Sequence, residues 1–177
     1  MTNSVGNAIG GSTVRWMSAR SDVFSFPNPV NEKAARVVAG GVALLSATIL
    51  LTGWQWLLVL VALGFLARVV SGPTLSVLGQ IATRVIAPRL GPPRYVPGPP
   101  KRFAQGIGLI VSTAAVIAGI GFGITWLANV LVALLLVFAT LESVVGFCTG
   151  CWLFGRLMQA GVIPEATCQA CNNITVG

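Results

Sequence analysis

Phe103–Gly155 reads FAQGIGLIVSTAAVIAGIGFGITWLANVLVALLLVFATLESVVGFCTGCWLFG, 53 residues between Arg102 and Arg156 in which Glu142 is the one charge. A bilayer-spanning helix needs about 20 apolar residues. This stretch therefore holds two helices and a turn, expected over Phe103–Ile124 and Trp126–Trp152. Upstream, 31 residues between Arg36 and Arg68 carry no charge. Split at Thr52-Gly53-Trp54, they give helices over Glu32–Leu51 and Trp54–Ser71. That first hairpin is short for a full crossing unless Lys33, Arg36 and Arg68 snorkel to the headgroups; a re-entrant hairpin is the alternative. The expected fold class is all-α: an integral membrane four-helix bundle of two hairpins, with an amphipathic interfacial helix and a Cys-rich C-terminal tail.

Composition agrees. The chain has 177 residues, 55% hydrophobic and 8% charged, with no His, against about 25% charged in an ordinary soluble domain. Histidine-based triads, metal ligands and proton relays are excluded. No phosphate-binding G-x-x-x-x-G-K-[ST] motif occurs. The first 30 residues lack an apolar core, so no cleavable signal peptide is expected.

The charges divide the chain into an N-terminal arm (1–31), a first hairpin (32–72), a basic loop (73–101), a second hairpin (102–153) and a tail (154–177). The turns near Gly53 and Thr125 carry no Lys or Arg. The loop carries Arg84, Arg89, Arg94 and Lys101 without an acid. By the positive-inside rule, both termini and the loop are expected in the cytoplasm. Trp54, Trp56 and Trp126 then form an outer aromatic belt. The net charge of +7 reads as a topology and anionic-lipid signal. It is too dispersed for nucleic acid, and the lipid bilayer is the expected partner.

Within the loop, Leu75, Leu78, Ile81, Ala82, Val85 and Ile86 recur at helical spacing, which predicts an amphipathic interfacial helix over Thr74–Leu90. Pro73 would open it and Pro88 end it. Gly91–Pro100 reads as a proline-rich extended connector. Asn31 is a candidate cap for the first helix.

Chemistry is left to four cysteines and one acid. Cys148-Thr149-Gly150-Cys151 falls at the expected end of helix four, and Cys168-Gln169-Ala170-Cys171 lies in the tail. Two C-x-x-C elements fit a pair of redox dithiols. They fit equally a four-cysteine metal site for Zn or an iron–sulfur centre. A helix C-terminus disfavours a thiolate at Cys148, unless Gly146 and Gly150 break the helix; Arg156 would also help. Pro164-Glu165 reads as a first turn placing Cys168 early in a short helix. On the cytoplasmic side a lasting structural disulfide is the least expected state. Glu142 lies deep in helix four, where an acid needs a partner or a proton. A group near Ser112 is a candidate partner, and an ideal helix would not put Glu142 on the face of Cys148 and Cys151.

Two stretches carry a resemblance. Pro99-Pro100-Lys101-Arg102-Phe103-Ala104-Gln105-Gly106-Ile107-Gly108 and Gly146-Phe147-Cys148-Thr149-Gly150-Cys151 together resemble the motifs of domain-of-unknown-function family 4395, over about Asn28 to Leu157. The resemblance implies a small bacterial protein of the cytoplasmic (inner) membrane with four helices and no settled activity. It also implies thiol or sulfur traffic, with a thioredoxin-like or rhodanese-like partner. It carries over to Cys148, Gly150 and Cys151, and to Phe103 and Gln105. Where the family commonly has an acid after the second cysteine, this chain has Trp152; where it commonly has Asn, this chain has Glu142.

Three functions follow as expectations. One is thiol redox or sulfur chemistry, with Cys148 and Cys151 as the dithiol and Glu142 as an intramembrane acid. The second is an accessory subunit of a larger membrane complex, such as a respiratory one, with a metal on Cys148, Cys151, Cys168 and Cys171. The third is a carrier of a soft metal or sulfur species.

Overall fold

The computed structural model describes residues 28–164 and 167–168. The N-terminal arm up to residue 27 and Cys171 lie outside them. The described chain is mostly helical. Helix α1 (Glu32–Thr52) is capped by Asn31, whose Oδ1 accepts from the Lys33 amide at 3.1 Å, and ends at Gly53 in the left-handed region. After a tight turn, α2 runs over Leu57–Ser71. The loop then holds the one-turn α3 (Val77–Ile81), a π-helical turn over Ala82–Ile86 and a 3-10 turn over Ala87–Leu90.

Helix α4 (Gly98–Val116) passes into a π turn at Ile117–Gly121, and α5 (Thr125–Thr140) into another at Leu141–Val145. A last helix, α6, spans Thr149–Gln159. Three helical runs, Glu32–Thr52, Gly98–Gly121 and Thr125–Val145, are long and apolar enough to cross a membrane; α2 is shorter.

The tightest helix packing runs across the two halves of the chain, α2 against α4 and α1 against α5. The shared core is Val42, Ile49, Leu58, Val61, Phe65, Ala115, Ala128, Val132 and Leu135. Trp54, Trp56 and Trp126 are exposed at the turn end. At the opposite end, β1 (Val30–Asn31) pairs antiparallel with β2 (Tyr95–Val96). The Glu32 amide donates to the Arg94 carbonyl at 2.8 Å, and the Gly98 amide to Asn28 Oδ1 at 3.0 Å. These bonds tie the start of the first half to the start of the second.

Several elements differ from the sequence expectation. The third apolar helix starts at Gly98, not Phe103, because Pro99 and Pro100 occupy its first turn, where missing amide hydrogens cost nothing. The loop helix starts after Ser76, whose Oγ accepts from the Gly79 amide, so Pro73 precedes it. Its small residues Gly79, Ala82 and Ala87 face the bundle, while Val77, Ile81 and Val85 stay exposed at four-residue intervals. Arg68 does not snorkel; it is buried at 5% exposure. Arg36 also turns to protein, donating to the carbonyls of Ser143 (3.2 Å) and Val144 (2.7 Å) at the end of the Leu141–Val145 π turn.

Candidate functional site

The α5 run does not continue to Trp152. Its π turn ends at Gly146, whose φ of 79° is left-handed, a conformation that costs any residue with a Cβ about 1–2 kcal/mol. The Gly146 amide donates to the Glu142 carbonyl at 3.1 Å, and Phe147 reaches back to Leu141 at 3.3 Å. The chain then reverses into α6. Cys148 is therefore not at a helix C-terminus but is the N-cap of α6, and its Sγ accepts from the Cys151 amide at 3.3 Å. The electrostatic objection to a thiolate at Cys148 is reversed: a helix N-terminus favours negative charge.

Cys148 and Cys151 form a disulfide, with Cα atoms 5.2 Å apart, inside the range a disulfide bridges. Cys168 is also disulfide-bonded and packs against Phe154 and Met158 on the buried face of α6. The sequence makes a lasting structural disulfide the least expected state; the structure holds the Cys148–Cys151 pair in its oxidised form. Pro164-Glu165 falls partly outside the described residues. Among the described residues no group of three or more metal-ligating side chains is assembled.

Helix α6 is held to α4 by two contacts from the recognised motifs. Phe103 meets Phe154 edge to face, with centroids 5.5 Å apart. Gly150 lies so close to α4 that a Cβ on it would come 2.5 Å from Ala104 Cβ and 2.6 Å from Ala104 Cα. Because one of those atoms is backbone, the strain cannot be relieved by a side-chain rotation. Gly150→Ala is expected to cost about 1–3 kcal/mol of stability, read as a lowered unfolding midpoint in detergent. Gly155→Ala, with open space at its Cβ, is the control and should not be destabilising.

Glu142 does have a partner, and it is not near Ser112, whose hydroxyl donates to the Leu109 carbonyl. Lys101 Nζ lies 2.6 Å from Glu142 Oε1, with both side chains at most 15% exposed. Next to this pair, Arg68 Nε donates to Gln105 Oε1 at 2.8 Å, and the Arg68 guanidinium stacks 4.5 Å above the Phe65 ring. Gln105, from the recognised motif, thus orients a buried cation.

Arg68, Gln105, Glu142, Cys148 and Thr149 all line one cavity of about 210 Å³ between the ends of the helices, with Phe65, Val111, Leu135 and Phe138 among its apolar walls. Glu142 and Cys148 share it because the π turn and Gly146 bend the chain back on itself. Sequence reasoning missed Lys101 and Arg68, which it had assigned to the membrane surface. The signal was partial: an acid in an apolar run needs a cation, but Lys101 and Arg68 are only two of several basic residues near the ends of the runs.

The fold and site define a helical protein with membrane-length spans and a C-x-x-C disulfide at a helix N-terminus, beside a cavity that contains charge. The chain belongs to the family described as domain of unknown function (DUF4395), whose profile matches residues 30–159. No curated protein matches it significantly. No solved structure does either.

Proposed function

We propose that this chain is an integral membrane thiol–disulfide redox protein, with Cys148–Cys151 as its working couple at the cytoplasmic face. The observation that carries the reading is the position of the pair. It sits on the first turn of α6 with Cys148 at the N-cap, and Cys148 lines a cavity together with Arg68 and Glu142. A helix N-terminus stabilises the thiolate that attacks or leaves in disulfide exchange.

The four helices are two hairpins in the bacterial inner membrane. Lys33, Arg36, Arg84, Arg89, Arg94, Lys101, Arg102 and Arg156 lie towards one end, and the charge-free tryptophan turns at the other. That asymmetry supports both termini in the cytoplasm. The exposed stripe of Val77, Ile81 and Val85 supports a loop helix lying in the inner interface. A thioredoxin-like or rhodanese-like protein is the partner class, as the family resemblance implies.

The test is an anaerobic redox titration of the purified protein in detergent, with trapped thiols counted at each residue. A reversible two-electron transition at Cys148 and Cys151 is expected in thiol buffers. A pair that stays oxidised in excess dithiothreitol after mild detergent treatment refutes the reading. So does about one Zn or Fe per chain that disappears on Cys148→Ser, which would support the four-cysteine metal site instead.

A further inference from the structure

Two buried polar atoms on residues lining the cavity beside Cys148 have no partner: Nη2 of Arg68 and Oγ1 of Thr149. Arg68 is not a loose surface side chain. It is 5% exposed and fixed by Gln105, by Ser76 Oγ at 3.4 Å from Nη1, and by the Phe65 ring. Thr149 is the residue between Cys148 and Gly150. Buried donors without acceptors are rare in folded proteins because each has given up its water. Two of them on one cavity call for a ligand that brings two acceptor oxygens. Besides Gln105, Glu142 and Cys148, the rest of the wall is apolar, with Phe65, Val111, Leu135 and Phe138 in it, and calls for an apolar body between or beside those oxygens. The volume, about seven waters' worth, admits one substituted six-membered ring.

Resting on the redox reading of Cys148–Cys151, we infer that the cavity binds a lipid-soluble quinone, which accepts the electrons of the reduced pair. Arg68 and Thr149 line the cavity, and on binding a small turn of each side chain brings Nη2 and Oγ1 from just beneath the wall to donate to its carbonyl oxygens. The step balances. The two thiols of Cys148 and Cys151 lose two electrons and two protons, and one S–S bond forms. The quinone gains both electrons, and its two carbonyl oxygens take the two protons to give the quinol. A cationic donor at the carbonyl stabilises the oxyanion that develops as electrons arrive. A small soluble anion would satisfy Arg68 but would leave the apolar walls without a role.

The experiment separates binding from electron transfer. Binding of decylubiquinone to the Cys148→Ser/Cys151→Ser chain in detergent is read by quenching of tryptophan fluorescence. Saturable binding is expected. Arg68→Gln and Thr149→Val should each weaken it about tenfold, as for one lost hydrogen bond to a buried donor. Ala139→Leu, which fills the cavity, should weaken it at least as much. Thr149→Val removes an unpartnered hydroxyl and so leaves the fold intact even where Arg68→Gln does not. In the native chain, reduced anaerobically, two thiols should disappear per quinol formed. Quenching that does not saturate, or that ignores both Thr149→Val and Ala139→Leu, is partition into the micelle and overturns the inference. The redox reading survives that result if the couple still titrates in thiol buffers. Saturable, variant-sensitive binding with a couple that titrates in nothing overturns the electron-transfer step and the redox reading together.

Discussion

Lys101→Met is expected to destabilise the protein by about 3–5 kcal/mol, and Glu142→Gln by a similar amount. Both side chains are nearly buried, and Nζ and Oε1 are 2.6 Å apart. Removing either partner leaves a charge in a mostly buried site where little water is on hand to solvate it. Arg68 shares the neighbourhood of Glu142, so the lone carboxylate in Lys101→Met keeps one cation nearby. The lone ammonium in Glu142→Gln keeps none and faces Arg68 as a like charge. Glu142→Gln should therefore be the worse of the two. The double variant Lys101→Met/Glu142→Leu removes both charges and should recover most of the loss, because an apolar pair of similar volume avoids both desolvation penalties. Unfolding midpoints in detergent for the native chain, Lys101→Met, Glu142→Leu and the double variant form a double-mutant cycle. A double variant as unstable as the sum of the singles would show that the two charges do not act on each other.

The pair also shows where sequence reading reached and where it stopped. The apolar blocks, the tryptophan turns and the Asn31 cap were legible because each depends on residues close in sequence. So was the suspicion attached to Glu142, since an acid within an apolar run stands out alone. Its partner was not legible. Lys101 is 41 positions away, and it reads equally well as a loop charge facing headgroups. Which way a basic residue at a helix end turns is decided by the neighbouring helix. For Arg68 that neighbour supplies Gln105, and for Arg36 it supplies the open carbonyls of a π turn. The break before Cys148 was half legible. Gly146 and Gly150 marked the place, but a positive φ at the first and a backbone contact at the second follow only from how α5 and α6 sit on the rest. Periodicity alone runs one helix through to Trp152 and gives Cys148 the wrong end of a dipole.

That reversal of dipole sets the largest expected effect on reactivity, an asymmetry between the two cysteines. Cys148 Sγ is the N-cap acceptor of α6 and takes the Cys151 amide hydrogen bond; on reduction, a thiolate at that position faces the open amides of the first turn. Cys151 lies within the first turn and has no equivalent set of donors. A helix N-terminus contributes about 1 kcal/mol to a nearby anion, so Cys148 should alkylate with iodoacetamide several-fold to about tenfold faster than Cys151. The functional consequence is sharper. Under the proposed redox function, the Cys148 thiolate attacks a partner disulfide, joins to one partner sulfur and releases the other; Cys151 then attacks Cys148 Sγ, closing the Cys148–Cys151 bond and freeing the reduced partner, and the reverse reaction passes through the same mixed disulfide. Cys151→Ser should therefore accumulate a covalent complex with a thioredoxin-like partner through Cys148. Cys148→Ser should form none, and both variants should lose turnover altogether. Peptide mapping of the trapped complex decides the matter. Trapping through Cys151, or equal alkylation of the two thiols, would mean that the N-cap position does not select the nucleophile. Gly150→Ala offers an independent check on the cause. By forcing α6 away from Ala104 it should move the first turn that surrounds Cys148, and the difference in alkylation rate should shrink while both cysteines remain present.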